Sequence, residues 1–349
     1  MKRVFRIISL AVSLALTGYL FVHVSYMHRG YTRLMGFHGL KDNTIDVAFV
    51  GTSVTFSSFM PMEAWNEYGM AAYDYCTNTQ LENALRYSVR EVMKTQSPKL
   101  LLIDVAPFLV QHSPEVVADE DDPDLLIKYN IDSMPYSLNR AKLIGEINRE
   151  KEGDLYSYLY YTFDICRYHS NRPSVGQWNN SCNDVNRGYG YLSRNGASVV
   201  NTDHFFKDDG TEEPLEGKHA VYLEQLLSDM DRLNCEVVFY CAPAYFMENR
   251  KDECFRKNYI KRVVEERGYV FWDLSAEVET VGLDYEYDFW SYNHFDSLGA
   301  EKVTRYLAKR IVDTYEIPDR RDDPRYENWH NDYQDWIGMK GDYNEQDRK

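Results

Sequence analysis

The chain has 349 residues, 44% of them hydrophobic and 15% aromatic, enough to bury one large core or two modest ones. Its 55 acidic and 39 basic side chains leave a net charge of -16. With no basic stripe to offset it, that charge excludes nucleic acid and disfavours any anionic polymer as the main ligand.

Lys2, Arg3 and Arg6 come first, followed by residues 7–24, which carry no formal charge. At about 1.5 Å per residue this run is just long enough to cross a hydrocarbon core. The preceding cations place residues 1–30 as a cytoplasmic stub and transmembrane anchor, with the body outside the membrane. A cleaved signal peptide is the rival reading, but no small-x-small site follows the run; the Lys-Arg pair argues against a buried core helix.

Residues 45–50, 71–75 and 100–104 are short, nearly continuous apolar runs, the pattern of strands buried on both faces of a parallel sheet. Between them Leu81, Leu85, Val89, Val92 and Met93 recur at helical spacing. A second series follows: a helix through Leu223, Leu226, Leu227, Met230 and Leu233, a strand at 237–241, a helix through Tyr259, Val263 and Val264, a strand at 269–273, and a last helix through Val303, Tyr306, Leu307 and Ile311. The alternation predicts an α/β fold with a doubly wound, mainly parallel sheet over residues 31–317.

Residues 118–217 break the rhythm with clustered aromatics such as Tyr156, Tyr158, Tyr160 and Tyr161, and are expected to form a loop-rich insertion capping the mouth of the site. Their tyrosines suit both loop packing and sugar faces. Residues 318–349, rich in Asp, Arg and Asn, are expected to be a charged, flexible tail. Of six cysteines, Cys166 and Cys182 bracket a polar stretch they could staple, while Cys235 and Cys241 read as small core residues. No cysteine or histidine spacing suggests a metal, and no cofactor is expected.

Two distant segments carry chemistry. Val47-Ala-Phe-Val-Gly-Thr-Ser53 breaks an apolar run at a Gly and delivers a hydroxyl, and Tyr292-Asn-His294-Phe-Asp-Ser-Leu-Gly299 delivers an imidazole just before a helix. A serine is a poor nucleophile until a base takes its proton, so this pair is what hydroxyl-based acyl chemistry requires. The alternatives are a cap or turn serine and a surface-loop histidine.

Gly51-Thr-Ser53, Gln80, the run from Lys94 to Asp104, Asp132-Ser-Met-Pro-Tyr-Ser137, Tyr168-His169-Ser and Asp288-Phe-Trp-Ser-Tyr-Asn-His294 with Gly299 together resemble the SGNH/GDSL hydrolase superfamily. More narrowly, over residues 45–315 they resemble its membrane-anchored bacterial branch, which includes teichoic-acid D-alanylation and alginate O-acetylation proteins. The resemblance implies a flavodoxin-like sheet, Ser53 as nucleophile and His294 as base. The superfamily's Asp, three residues before the His, is Ser291 here; Asp288 is the best replacement, with Asp296 and Asp284 behind it. The superfamily's oxyanion Gly and Asn are also missing, leaving the Ser53 N–H, Asn78 and Gln80 as donors. A helix cap competes for Asn78, an exposed first-turn position for Gln80 and a loop-capping carboxylate for Asp288, and Asp104 reads as a strand-end carboxylate. His169 and Arg172 are candidates for substrate contact.

The expected activity is an extracytoplasmic serine O-acyltransferase or esterase acting on a cell-envelope or secreted polysaccharide. By analogy its partner is a multi-spanning membrane acyltransferase. The alternative is a catalytically degenerate glycan-binding or assembly protein on the same fold.

Overall fold

The structure is a computed structural model that describes residues 2–26, 34, 36–115, 122–168, 188–191 and 205–347. Five apolar runs become five strands: β1 Val47–Gly51, β2 Ala72–Cys76, β3 Leu100–Asp104, β4 Glu236–Cys241 and β5 Val270–Asp273. All pair in parallel in the order β2-β1-β3-β4-β5, with Ala48 opposite both Tyr73 and Leu101. This is a doubly wound order, and its switch point lies between β1 and β3.

The helices, in chain order, are α1 Lys2–Tyr26, α2 Ser53–Phe56, α3 Pro61–Tyr68, α4 Glu82–Thr95, α5 Ala106–Val110, α6 Leu125–Asp132, α7 Leu138–Glu150, α8 Leu155–Thr162, α9 Asp164–Tyr168, α10 Gly217–Met230, α11 Lys251–Glu266, α12 Val278–Val281, α13 Tyr285–Asp288, α14 Ser297–Thr314 and α15 Glu327–Asp347. They cover both faces of the sheet. Val47, Phe49 and Leu102 pack with Phe56, Leu307 and Ile311 of α2 and α14, whereas Ala48, Val50 and Ile103 pack with Val89, Leu226 and Ile260 of α4, α10 and α11. Alternate residues of one strand therefore enter different cores, which explains why the strands read as unbroken apolar runs.

Helix α1 is long and apolar enough to cross a membrane, and its side chains from Lys2 to Leu20 are outside the core.

Two expectations about organisation change. Residues 125–168 are not loop: they form α6 to α9, whose Ile131, Leu143, Ile147 and Tyr161 pack against Leu81, Ala84 and Tyr87 around α4. Short helices with outward aromatics lack the clean periodicity of a long one. Nor is the C-terminal stretch a flexible tail. Tyr326, Trp329 and Trp336 are 0%, 3% and 1% exposed, and the Trp336 indole donates to Glu63 Oε1 at 2.8 Å. Lys340 adds an ion pair to the same carboxylate at 2.9 Å.

Candidate active site

At the carboxyl end of β1 the chain turns sharply into α2. A Cβ on Gly51 would lie 2.3 Å from the Cβ of Asp104, so only glycine lets that neighbouring strand end come so close. Asp104 is fully buried, and its Oδ2 accepts from Thr52 N at 3.0 Å, Thr52 Oγ1 at 2.6 Å and Thr55 Oγ1 at 3.1 Å. Its Oδ1 accepts from Ala106 N at 2.8 Å. Burial raises the Asp104 pKa while these donors oppose the rise. Asp104 thereby ties the turn that presents Ser53 to the start of α5, as a strand-end carboxylate.

His294 arrives on a loop pinned at both ends. Phe289 and Phe295 form an antiparallel bridge, the His294 carbonyl accepts from Trp290 N at 2.8 Å, and Tyr245 N donates to Tyr292 O at 3.0 Å. The result places Ser53 Oγ 2.8 Å from His294 Nε2. The two residues that the sequence singled out meet within hydrogen-bond reach at the carboxyl edge of the sheet, where ligands of doubly wound folds bind.

On the far side of the ring, Nδ1 lies 2.7 Å from Asn293 Oδ1 and 3.1 Å from Ser291 Oγ. An amide oxygen only accepts, so Nδ1 carries the proton and Nε2 is left to accept from the serine. Ser291 Oγ also donates to Asn293 Oδ1 at 3.3 Å, so the two uncharged groups act together. Asn293 was missed from the sequence, although it stands next to the histidine inside the motif.

Asp288 does not orient the imidazole. Its carboxylate is 2% exposed and accepts from Asp284 N and Lys302 Nζ, both at 2.6 Å. The cause is local: α13 turns Asp288 under the loop toward α14, and Gly299 packs so tightly there that a Cβ would lie 2.1 Å from the Asp288 carbonyl. Asp284 caps α13 through Glu286 N at 2.9 Å, and Asp296 caps α14 through Gly299 N at 2.8 Å.

Gln80 also leaves the oxyanion set. It is fully buried, its amide donates to Asn130 Oδ1 at 2.6 Å, and its oxygen lies 3.2 Å from both Thr77 Oγ1 and Ser88 Oγ. Asn78 is half-buried in the turn after β2, which Thr77 N ties to the end of β1 by donating to Gly51 O at 3.0 Å. The Ser53 N–H is at the first position of α2, so it has no acceptor within that helix. His169 and Arg172 lie outside the described residues.

A small cavity of about 30 Å³ lies between Val54, Ala106, Leu109, Ala242, Phe246 and Asn293, lined by chain neighbours of Ser53 and His294 rather than by the two residues themselves. It holds about two water-sized groups. Tyr292, two residues before the histidine, is clamped by Arg250, which donates to its hydroxyl, stacks 4.8 Å from its ring and pairs with Glu253 at 2.5 Å. Burial pushes the Tyr292 phenol up to about 12. Among the described residues no group of three His, Cys, Asp or Glu side chains is arranged to hold a metal. Cys235 and Cys241 are separate thiols, and Cys182, the expected partner of Cys166, lies outside the described residues.

No protein-family model matches the chain, and no curated protein matches it by sequence.

Proposed function

We propose that the chain is a serine acyltransferase or esterase of the SGNH/GDSL type, held at the membrane by α1 with its body outside, and acting on O-acyl groups of a cell-envelope or secreted polysaccharide. The observation that carries this reading is the 2.8 Å contact between Ser53 Oγ and His294 Nε2, formed across 241 residues of sequence. In the first step Ser53 Oγ attacks the acyl carbonyl while Nε2 takes its proton, and the Ser53 N–H with the Asn78 amide faces the developing oxyanion. The protonated imidazole then returns the proton to the leaving oxygen. In the second step a sugar hydroxyl or water gives its proton to Nε2 and attacks the acyl-serine, and the imidazolium returns that proton to Ser53 Oγ as its bond to the acyl carbon breaks, which restores the dyad. A multi-spanning membrane acyltransferase would supply the acyl group.

The uncharged partners at Nδ1 favour a second reading, a glycan-binding or assembly protein that has kept the fold. Intact mass spectrometry of the full chain after incubation with an activated acetyl ester separates them. An adduct of one acetyl group, absent in Ser53→Ala, supports the enzyme. No adduct on the wild-type protein removes the acyl-enzyme mechanism and leaves the binding protein.

A further inference from the structure

Beyond α1, eleven large apolar side chains are exposed among the described residues, and six of them fall between Tyr136 and Phe163. Leu138 is 82% exposed, Leu155 71%, Tyr156 76%, Leu159 39% and Phe163 48%. Leu155, Leu159 and Phe163 are spaced by four residues, so they form one stripe along α8 with Tyr156 beside it. The opposite side of α8 is satisfied: Tyr161 is buried, and Tyr158 and Tyr160 pack on the cluster around α4. The neighbouring helices α6, α7 and α9 are joined to one another. Arg140 and Arg167 both pair with Asp132 and Asp164 in a buried four-charge cluster, and the Tyr136 hydroxyl accepts from Asp164 N at 3.2 Å.

What covers this face is indicated by its neighbour. Helix α1, the span long and apolar enough to cross a bilayer, contacts α9, and α9 begins at the residue after Phe163. The exposed stripe therefore ends at Phe163, next in sequence to the helix that α1 contacts. Leu, Phe and Tyr are the side chains that settle at the boundary between headgroups and acyl chains, with tyrosine hydroxyls kept wet.

We infer that α8 and the start of α7 lie in the interfacial layer of the same bilayer that α1 crosses, so that the body is docked on the membrane rather than tethered above it. This rests on the reading of α1 as an anchor. The docking has a consequence for the candidate site. Asn130 of α6 accepts from Gln80 at 2.6 Å and donates to Thr79 O at 3.1 Å, which ties this helical unit to the turn carrying Asn78. The turn carrying Asn78 is thereby hydrogen-bonded to the same helical unit that carries the docking face.

The test uses the full chain in phosphatidylcholine nanodiscs, one chain per disc, with a nitroxide attached through p-azidophenylalanine at Leu159, Tyr156, Leu14 or Lys309. Lys309 is 65% exposed on α14 and serves as the aqueous reference. At Leu159 and Tyr156 the ratio of oxygen to nickel-chelate collisions should exceed the Lys309 value by about threefold or more and approach that at Leu14, as expected for a group some 5–10 Å into the boundary. A Leu159 ratio equal to that of Lys309, with Leu14 buried in lipid, overturns the docking and leaves the anchor standing. A water-like ratio at Leu14 overturns the anchor and the docking with it. Spin–spin broadening at Leu159 in two-chain discs, together with a water-like ratio in one-chain discs, assigns the face to a second copy instead.

Discussion

Asn293 Oδ1 accepts from His294 Nδ1 at 2.7 Å, in the position where a triad would place a carboxylate. The amide fixes the tautomer but supplies no charge to the imidazolium. Asn293→Ala should lower the kcat/KM of Ser53-dependent ester turnover by about tenfold or more, and Asn293→Asp should preserve or raise it. Unchanged turnover in Asn293→Ala would remove the amide from the mechanism.

The contrasting variant is Asp288→Asn. Because its carboxylate serves Lys302 and the Asp284 amide, its loss should cost about 1–3 kcal/mol of stability and lower the thermal midpoint by several degrees. The effect on kcat/KM should be smaller than that of Asn293→Ala. A large loss of turnover at an unchanged midpoint would return Asp288 to the site.

Glu82 gives a pH dependence. It is 1% exposed, its Oε2 lies 2.6 Å from His219 Nδ1, and burial raises its carboxyl from the ordinary value to about 9. The folded protein then keeps a proton that the unfolded chain loses at about 4.5, so the stability linked to this proton is full below that pH and is lost as pH rises toward 9. Glu82→Gln keeps the shape without the titration. Its thermal midpoint should gain on the wild type steadily between about pH 5 and 9. Parallel curves would show that Glu82 is ionised in the fold.

Trp336 should behave as a core residue. Trp336→Ala, which empties a 1% exposed site and orphans Glu63, should cost about 3–5 kcal/mol in a denaturant titration. A change below about 0.5 kcal/mol, typical of surface positions, would mean that α15 does not pack on the body.

The cavity between Val54 and Asn293, the chain neighbours of Ser53 and His294, supplies a test of acyl size. With about 30 Å³ enclosed by Leu109, Phe246 and other buried walls, acetyl esters should be turned over about tenfold or more faster than butyryl esters, because overpacking costs about 1–3 kcal/mol. Equal rates would place the acyl chain elsewhere.

The strands were legible because each alternates between two covered cores, which turns burial into unbroken apolar runs in the sequence. Ser53 and His294 were legible from a Gly that interrupts such a run and from a motif placed just before a helix. The third member was not, because spacing along a chain does not say which way a carboxylate points: Asp288 is claimed by Lys302, fourteen residues further on. Gln80 likewise turned inward to Asn130, fifty residues away. The C-terminal helix was misread from its charge, although Tyr326, Trp329, Tyr333 and Trp336 recur at three- and four-residue intervals, which is a helical stripe.

The 241 residues between Ser53 and His294 also set a timetable. At roughly 5–20 residues per second, a ribosome that has made the serine needs roughly 10–50 s more to make its base. Helix α3, which follows the serine turn, must wait further still for the indole of Trp336 to reach Glu63, 273 residues later. Throughout that interval the hydroxyl lacks the imidazole that the folded chain sets against it. A chain threaded across a membrane during synthesis would thus carry no working dyad on the side where it is made, and reactive acyl donors in that compartment would meet only an ordinary serine.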